Sequence, residues 1–264
     1  MGSSEYCELI HNTSINKELF HLEFIWNGTP PKAGQFFMVK PKRSSVFLGR
    51  PISIANWRPN TITFLIAKRG TGTMELASIH SGEEAELIGP LGNAWSDFLP
   101  KKLKTGSKPV ALIGGGVGLA PLHALLCESP DYGFILHAGF RTGFRNIEEE
   151  AALVGPAFVG AEKIIVASED GKFNKARFTG GKKGLITDFL EPENFSVVCA
   201  CGPEAMLRTV AKKCAAASVP CYVSLERRMA CGVGACLGCT VITTKGNKRC
   251  CKEGPIFPAE ELSI

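Results

Sequence analysis

Short stretches of alternating or continuous hydrophobic residues dominate the first hundred residues. They are separated by turns rich in Gly, Pro and Asn, a pattern typical of an antiparallel β-sheet. Several such strands at this spacing predict a small antiparallel β-barrel. The predicted strands are Phe20–Trp26, Gln35–Lys40, Pro51–Trp57, Thr61–Lys68 and Glu84–Ile88.

The pattern changes at Val110, where buried-strand candidates begin to alternate with helical ones. The strand candidates are Val110–Ile113, Gly133–His137, Lys163–Ala167 and Phe195–Ala200, and the helical candidates are Leu119–Cys127, Asn146–Leu153 and Glu204–Ala217. This alternation predicts a doubly wound α/β domain with a parallel sheet. A polar, basic stretch over 99–109 is the expected linker, and the chain from Leu225 onward is too irregular for either pattern. We expect an α+β chain of two domains with a C-terminal loop region, divided at 1–100, 101–222 and 223–264.

Composition restricts the functional classes. The 264 residues are 45% hydrophobic and 21% charged, and the formal net charge is +5. The basic residues are scattered, which argues against a nucleic-acid partner. No apolar run approaches the roughly 18 residues that span a bilayer. Because the N-terminus also lacks the apolar core of a signal peptide, we expect a cytoplasmic protein without a membrane partner.

Five of the eleven cysteines crowd into 21 residues near the C-terminus, in a spacing that indicates metal binding. The run is Cys231-Gly-Val-Gly-Ala-Cys236-Leu-Gly-Cys239, followed by Cys250-Cys251. The C-x4-C-x2-C…C spacing is that of plant-type [2Fe-2S] ligation. The interleaved glycines permit the tight loop that such a cluster needs. A four-cysteine zinc site is the alternative, although zinc sites favour C-x2-C pairs on both sides.

Two glycine-rich turns in the α/β domain each follow a strand and precede a helix. The first contains Gly114, Gly115, Gly116 and Gly118, and the second is Cys201-Gly202-Pro203. Such turns let backbone amides approach a pyrophosphate, and both are expected at the carboxyl ends of parallel strands, where ligands bind. Cys201 could line a nicotinamide pocket, or it could simply be a small buried residue at the end of a strand. The sequence leaves both interpretations open.

The barrel region contains two further candidates for phosphate contacts. Arg50 is one, since a guanidinium makes strong and directional bonds with phosphate. The other is the stretch 68–73, which we interpret as a Gly-rich turn with free amides and hydroxyls. A solvated strand charge for Arg50 and an ordinary hairpin turn for 68–73 are the alternatives.

Taken in order, these strings resemble the electron-transfer subunit of type B dihydroorotate dehydrogenase, within the ferredoxin reductase superfamily. The matching strings are R-P-I-S at 50–53, K-R-G-T-G-T at 68–73, G-P-L-G-N at 89–93, G-G-G-V-G-L-A-P-L at 114–122, C-G-P at 201–203, E-R-R-M-A-C-G-V-G-A-C-L-G-C at 226–239 and C-K-E-G-P-I-F at 251–257. The resemblance covers nearly the whole chain. The segment from Met229 to Cys239, with its C-K-x-G-P sequel, is the most specific part.

The resemblance implies an oxidoreductase subunit in which the barrel binds FAD, the α/β domain binds NAD(H) and the C-terminal loop binds a [2Fe-2S] cluster. Electrons would pass from the FMN of a separate dihydroorotate-oxidising subunit through the cluster and FAD to NAD+, in pyrimidine biosynthesis. A heterotetramer of two plus two chains is expected, and no residue of this chain is expected to transfer a proton. The implied FAD contacts are Arg50, Pro51, Ile52, Ser53, Leu65, Ile66, Ala67, Gly72 and Thr73. The implied cluster ligands are Cys231, Cys236, Cys239 and Cys251.

Two other functions remain open. One is the same architecture with another partner, namely the small subunit of an NADH-dependent ferredoxin:NADP+ oxidoreductase or a hydrogenase diaphorase subunit. The former typically has an acidic residue where this chain has Cys231. The other is a zinc-stapled, cofactor-binding regulatory protein without redox turnover.

Overall fold

The computed structural model describes residues 3–99, 107–144, 160–173 and 181–263, and contains a β-barrel followed by an α/β sheet. The barrel is closed in the order β1-β2-β5-β4-β3-β6. Its strands are β1 (Ser3–Ser14), β2 (Leu19–Ile25), β3 (Phe36–Pro41), β4 (Arg50–Arg58), β5 (Thr61–Ala67) and β6 (Glu84–Leu91). All neighbouring strands are antiparallel, as the period-two pattern predicts.

Alternation of side chains fills the barrel. In β2, Phe20, Leu22 and Phe24 are buried, because every second residue points inward. The first strand was missed by the sequence prediction, since few residues in it are buried. The alternative of an ordinary hairpin turn over 68–73 is wrong: helix α1 (Thr71–Ser78) begins there and leads from β5 toward β6.

The second sheet has seven strands in the order β10-β9-β8-β7-β11-β12-β15. They are β7 (Val110–Gly115), β8 (Phe134–Phe140), β9 (Ala161–Ser168), β10 (Lys182–Lys183), β11 (Val197–Cys201), β12 (Cys221–Ser224) and the antiparallel β15 (Ile256–Pro258). Helices α2 (Leu119–Glu128) and α3 (Glu204–Ala216) follow β7 and β11. The strand order reverses between β7 and β11, which makes this a doubly wound sheet whose ligand crevice is expected at their carboxyl ends. The predicted helix over 146–153 lies outside the described residues.

The C-terminal region is more regular than its sequence suggests. It contains the hairpin β13 (Thr240–Thr243) and β14 (Gly246–Arg249), and β15 then joins the α/β sheet. The expectation of no regular elements beyond Leu225 was therefore wrong. The expected domain boundary at 222 falls inside β12, so we propose that the C-terminal region extends the α/β domain rather than forming a separate unit.

A hydrophobic cluster joins the barrel to the α/β domain. It contains Leu65 of β5 and Ala55 of β4 from the barrel, together with Leu119 and Leu122 of α2. His123 of α2 adds a polar link, because its Nδ1 lies 2.7 Å from the carbonyl oxygen of Ala55. The junction fixes the carboxyl edge of the sheet beside β5 of the barrel.

Asn93 fastens the C-terminal region to the barrel. Its side-chain amide donates to the carbonyl oxygens of Glu253 and Ile256, at 2.9 and 2.8 Å, and its Oδ1 accepts the Ile256 N–H at 3.0 Å. Its own N–H donates to the Gly254 carbonyl oxygen at 2.7 Å. These four bonds give a structural role to the last residue of the G-P-L-G-N string. No helix in the described part of the chain is long and apolar enough to cross a membrane.

Candidate functional site

The cysteine loop brings its thiols together in two pairs. Cys231 lies beside Cys236, and Cys239 lies beside Cys251, and the two free thiols of each pair are within hydrogen-bonding reach of each other. Within the described residues, no three His, Cys, Asp or Glu side chains converge on a point that could hold one metal ion. The four thiols of the loop match in number and kind the donor set of a two-iron cluster.

Backbone amides surround these sulfurs. The N–H of Gly234 donates to Cys251 Sγ at 3.1 Å, and the N–H of Cys236 points at Cys231 Sγ from 3.5 Å. Amide donors stabilise negative charge on sulfur, and they lower the pKa of Cys231 to about 6. Burial has the opposite effect on Cys251, whose pKa is raised to about 12. The amide donors around these sulfurs therefore suit a cluster that is bound through negatively charged thiolates.

Positive φ angles at Gly232 and Gly234, of 69° and 81°, let the loop wrap around the thiols. The backbone at Gly232 also lies close to the barrel, since a Cβ there would meet Met38 and Leu91. Leu237 adopts a positive φ of 60° although it is a bulky residue, and its side chain is 61% exposed.

The adjacent residues Cys250 and Cys251 point in different directions. Cys250 is completely buried and its thiol donates to the carbonyl oxygen of Leu225 at 3.6 Å. Cys251 instead faces the loop, where it accepts the Gly234 N–H and neighbours Cys239. This geometry favours Cys251 as the fourth ligand.

Arg50 and the start of helix α1 lie together at one corner of the barrel. The Arg50 guanidinium lies against the backbone of Gly72, where a Cβ would collide with its Nε atom. The Thr73 hydroxyl accepts the N–H groups of Arg69 and Gly70, at 2.8 and 3.1 Å, which holds the turn into the helix. The first-turn amides of a helix and a guanidinium are both ligands for phosphate.

Strands β4 and β5 separate beside this corner. Their pairing runs from Arg58–Thr61 to Ile54–Phe64 and stops there, although β4 extends back to Arg50 and β5 forward to Ala67. The facing backbone groups of 50–53 and 65–67 are thus open to a planar ligand. Pro51, Ile52 and Ser53 are half-buried along this gap. The side chain of Ile66 packs inside the barrel, so it can contact a ligand only through its backbone, whereas Leu65 faces the domain junction.

The two glycine turns of the α/β domain contact each other. A Cβ on Gly118 would collide with the carbonyl oxygen of Cys201, and a Cβ on Gly115 would lie 2.7 Å from Pro203 Cδ. Gly202 has a φ of 155°, and its Cβ would lie 3.0 Å from the Gly115 Cα. By contrast, a Cβ on Gly116 would enter open space. Glycine is required for the approach of the two turns, and their joint edge is the crevice expected for a dinucleotide.

Cys201 lies at the end of β11 and is only 4% exposed. Burial and the nearby Glu226 carboxyl raise its pKa to about 12, while the Ser224 hydroxyl bonds to the thiol. Desolvation by neighbouring groups also raises the pKa of Glu226, although its side chain is exposed, and Arg69 opposes that shift. This group of a thiol, a hydroxyl and a carboxyl at the domain junction was missed by the sequence analysis, because its members are far apart in sequence.

Three comparisons describe the relatives of this chain. Residues 226–263 match the family model described as the iron–sulfur cluster binding domain of dihydroorotate dehydrogenase B. The chain is 37% identical over 236 residues to the dihydroorotate dehydrogenase B (NAD(+)) electron transfer subunit of Clostridium perfringens, covering 88% of this chain and 87% of the relative. It is 36% identical over 233 residues to the subunit of that name from Clostridium acetobutylicum, with the same coverage. The structure also resembles a solved NADH-dependent reduced ferredoxin-NADP oxidoreductase, with a TM-score of 0.78, 25% identity and coverage of 100% and 91%.

Proposed function

Because the chain belongs to the family of dihydroorotate dehydrogenase B electron transfer subunits, we propose that it carries electrons from a dihydroorotate-oxidising catalytic subunit to NAD+ in pyrimidine biosynthesis. The observation that carries this proposal is the paired arrangement of Cys231 with Cys236 and Cys239 with Cys251 on one amide-rich loop. Such a set suits a two-iron carrier of single electrons. The identity and coverage of the two clostridial relatives support this partner over a ferredoxin.

The cysteine loop would hold the [2Fe-2S] cluster through these four thiolates. Amides of the loop would stabilise the charge on the sulfurs and so set the reduction potential. Asn93 would keep the loop at a fixed distance from the barrel through its four bonds to the C-terminal region.

The gap between β4 and β5 would hold the flavin ring of FAD, with Arg50 and the amides at Gly72 and Thr73 on the pyrophosphate. When bound, FAD supplies the link between the two halves of the reaction, since it accepts single electrons and delivers a hydride. Ile52 and Ser53 would orient the ring from one side of the gap, and the backbone of 65–67 from the other. The glycine turns at 114–118 and 201–203 would hold NAD(H) at the neighbouring crevice.

Cys201 and its neighbours Ser224 and Glu226 lie where the nicotinamide would meet the flavin. With its raised pKa, the thiol stays neutral at physiological pH. It would therefore exclude water and pack against the nicotinamide without presenting a charge to the transferred hydride. No residue of this chain is needed to move a proton in that step.

The partner subunit would dock over the cysteine loop. Val233, Leu237 and Ile242 are 52%, 61% and 71% exposed along the loop and the hairpin that follows it. The left-handed backbone conformation of Leu237 costs on the order of 1 kcal/mol for an L-residue. Its largely exposed side chain adds little packing energy within this chain to offset that cost. A docked partner bearing FMN would bury these side chains and bring its flavin near the cluster. We propose a heterotetramer of two chains of each kind.

The test is the purified chain, alone and with its catalytic partner. Alone, it should show flavin and iron–sulfur absorption bands and reduce an artificial acceptor with NADH, but it should not oxidise dihydroorotate. Adding the catalytic subunit should give dihydroorotate-dependent reduction of NAD+. A colourless protein containing zinc would contradict the proposal, as would dihydroorotate turnover by the lone chain. Activity with reduced ferredoxin and none with the catalytic subunit would identify the alternative partner.

A further inference from the structure

Phe47 is the large hydrophobic side chain with the greatest exposure in the described part of the chain, at 91%. It lies on the loop between β3 and β4, next to Leu48, which is 37% exposed. An aromatic ring left in water contributes nothing to the hydrophobic core of the barrel. Its position therefore calls for an explanation other than packing.

The loop that displays Phe47 is fastened to helix α1 on both sides. Before it, the Ser44 hydroxyl and the Ser45 N–H donate to the Glu75 carboxylate, at 2.5 and 3.1 Å, and the Ser45 hydroxyl donates to it as well. After it, the Arg50 side chain lies against Gly72 of the same helix. The ring is thus held on a short, anchored loop, where an aromatic side chain loses little entropy on binding a ligand.

Strand β4 gives the direction in which a bound dinucleotide would run. Its Ala55 end contacts α2 at the domain junction, where hydride transfer to NAD+ must occur. The flavin ring therefore belongs near Ser53, and the phosphates belong at Arg50. Phe47 lies further from the junction, three residues before Arg50 in the chain. Its Cα is therefore at most about 10 Å from the Arg50 Cα. That position is the one left for the adenosine half of FAD.

We propose that Phe47 stacks on the adenine base of FAD and makes the site select FAD over FMN. The inference rests on the proposed FAD site. Adenine presents a flat π-face, and an exposed aromatic ring beside a phosphate site is a suitable partner for it. FMN lacks the adenosine and would gain nothing from this ring.

The experiment compares Phe47→Ala with the wild-type holoprotein by the rate of flavin loss on desalting and by exchange with added FMN. Base–aromatic stacking predicts about 5- to 150-fold faster FAD loss or weaker FAD binding in the variant. Binding of FMN should change less than twofold, and the cluster bands should stay at wild-type intensity. Phe47→Trp should retain FAD. Tyr6→Ala, which removes a 56% exposed aromatic ring elsewhere on the barrel, is the matched control and should behave as wild type.

Unchanged FAD retention in Phe47→Ala would overturn the inference, since it would leave the ring free for another partner. Equal loss of FAD and FMN would overturn it too, because the ring would then support the loop rather than the adenine. Absence of flavin from the wild-type protein would instead count against the proposed function itself.

Discussion

Replacing each of the adjacent cysteines near the C-terminus tests the cluster site most directly. Cys250→Ser changes a completely buried thiol whose only hydrogen bond within the described residues goes to the Leu225 carbonyl. A serine hydroxyl can donate to the same oxygen, so the cost should be about 1 kcal/mol of unfolding free energy. The cluster should keep the wild-type ratio of iron to protein.

Cys251→Ser should have the opposite outcome. The variant removes one of the two thiols of the Cys239 pair, together with the sulfur that accepts the Gly234 N–H at 3.1 Å. One iron would be under-coordinated and labile, and most of the bound iron should be lost. Cys251→Ala removes any weak ligation by a serine oxygen and should lose iron at least as completely.

The assay is the iron content of each purified variant, with the electron paramagnetic resonance signal of the reduced protein. Thermal unfolding of the two serine variants separates loss of the ligand from loss of the fold. A normal cluster in Cys251→Ser, together with loss in Cys250→Ser, would falsify the assignment and would mean that the 239–250 segment rearranges around the cluster.

Four further outcomes are expected. Arg50→Ala should weaken FAD binding by about 10- to 150-fold, as expected for a charge-assisted phosphate contact, and leave the iron content unchanged; flavin that survives extensive dialysis would refute this. Gly118→Ala forces a Cβ into the carbonyl oxygen of Cys201, so NADH should bind at least tenfold more weakly in a titration while FAD is retained. Leu237→Gly should weaken association with the catalytic subunit in sedimentation without lowering the melting temperature of the lone chain, because glycine relieves the positive φ. His137 lies on β8 and is 1% exposed, and burial lowers the pKa of its imidazole from 6.5 to about 4. Its contribution to stability is therefore present above pH 6.5 and is lost as the pH falls toward 4. The free energy of unfolding in urea should fall by about 2 kcal/mol between pH 7.5 and 5, and this part of the decrease should be absent in His137→Leu.

Local sequence was sufficient for most of the strands and for the type of chemistry. Hydrophobic patterns predicted the barrel strands β2 to β6, and alternating strands and helices predicted the doubly wound sheet. The C-x4-C-x2-C spacing indicated the cysteine loop without any structure. These features depend on residues close in the chain, whose periodicity and spacing are visible directly.

Sequence failed where local signals were weak or ambiguous. The stretch 68–73 has the glycines of a hairpin turn, yet it begins α1, because the helix packs on the barrel and uses Thr73 to hold its first turn. The hairpin at Thr240–Arg249 was missed because its strands are only four residues long and half exposed.

Tertiary structure alone decided how distant segments meet. The contact of Gly118 with Cys201, the separation of β4 from β5, and the inward turn of Cys250 all depend on groups brought together by folding. Sequence determined which candidate ligands the chain contains, because these are fixed by residue type and short-range spacing. Only the packing of the barrel against the sheet determined which side chains share a site, because burial and steric fit act between residues far apart in the chain.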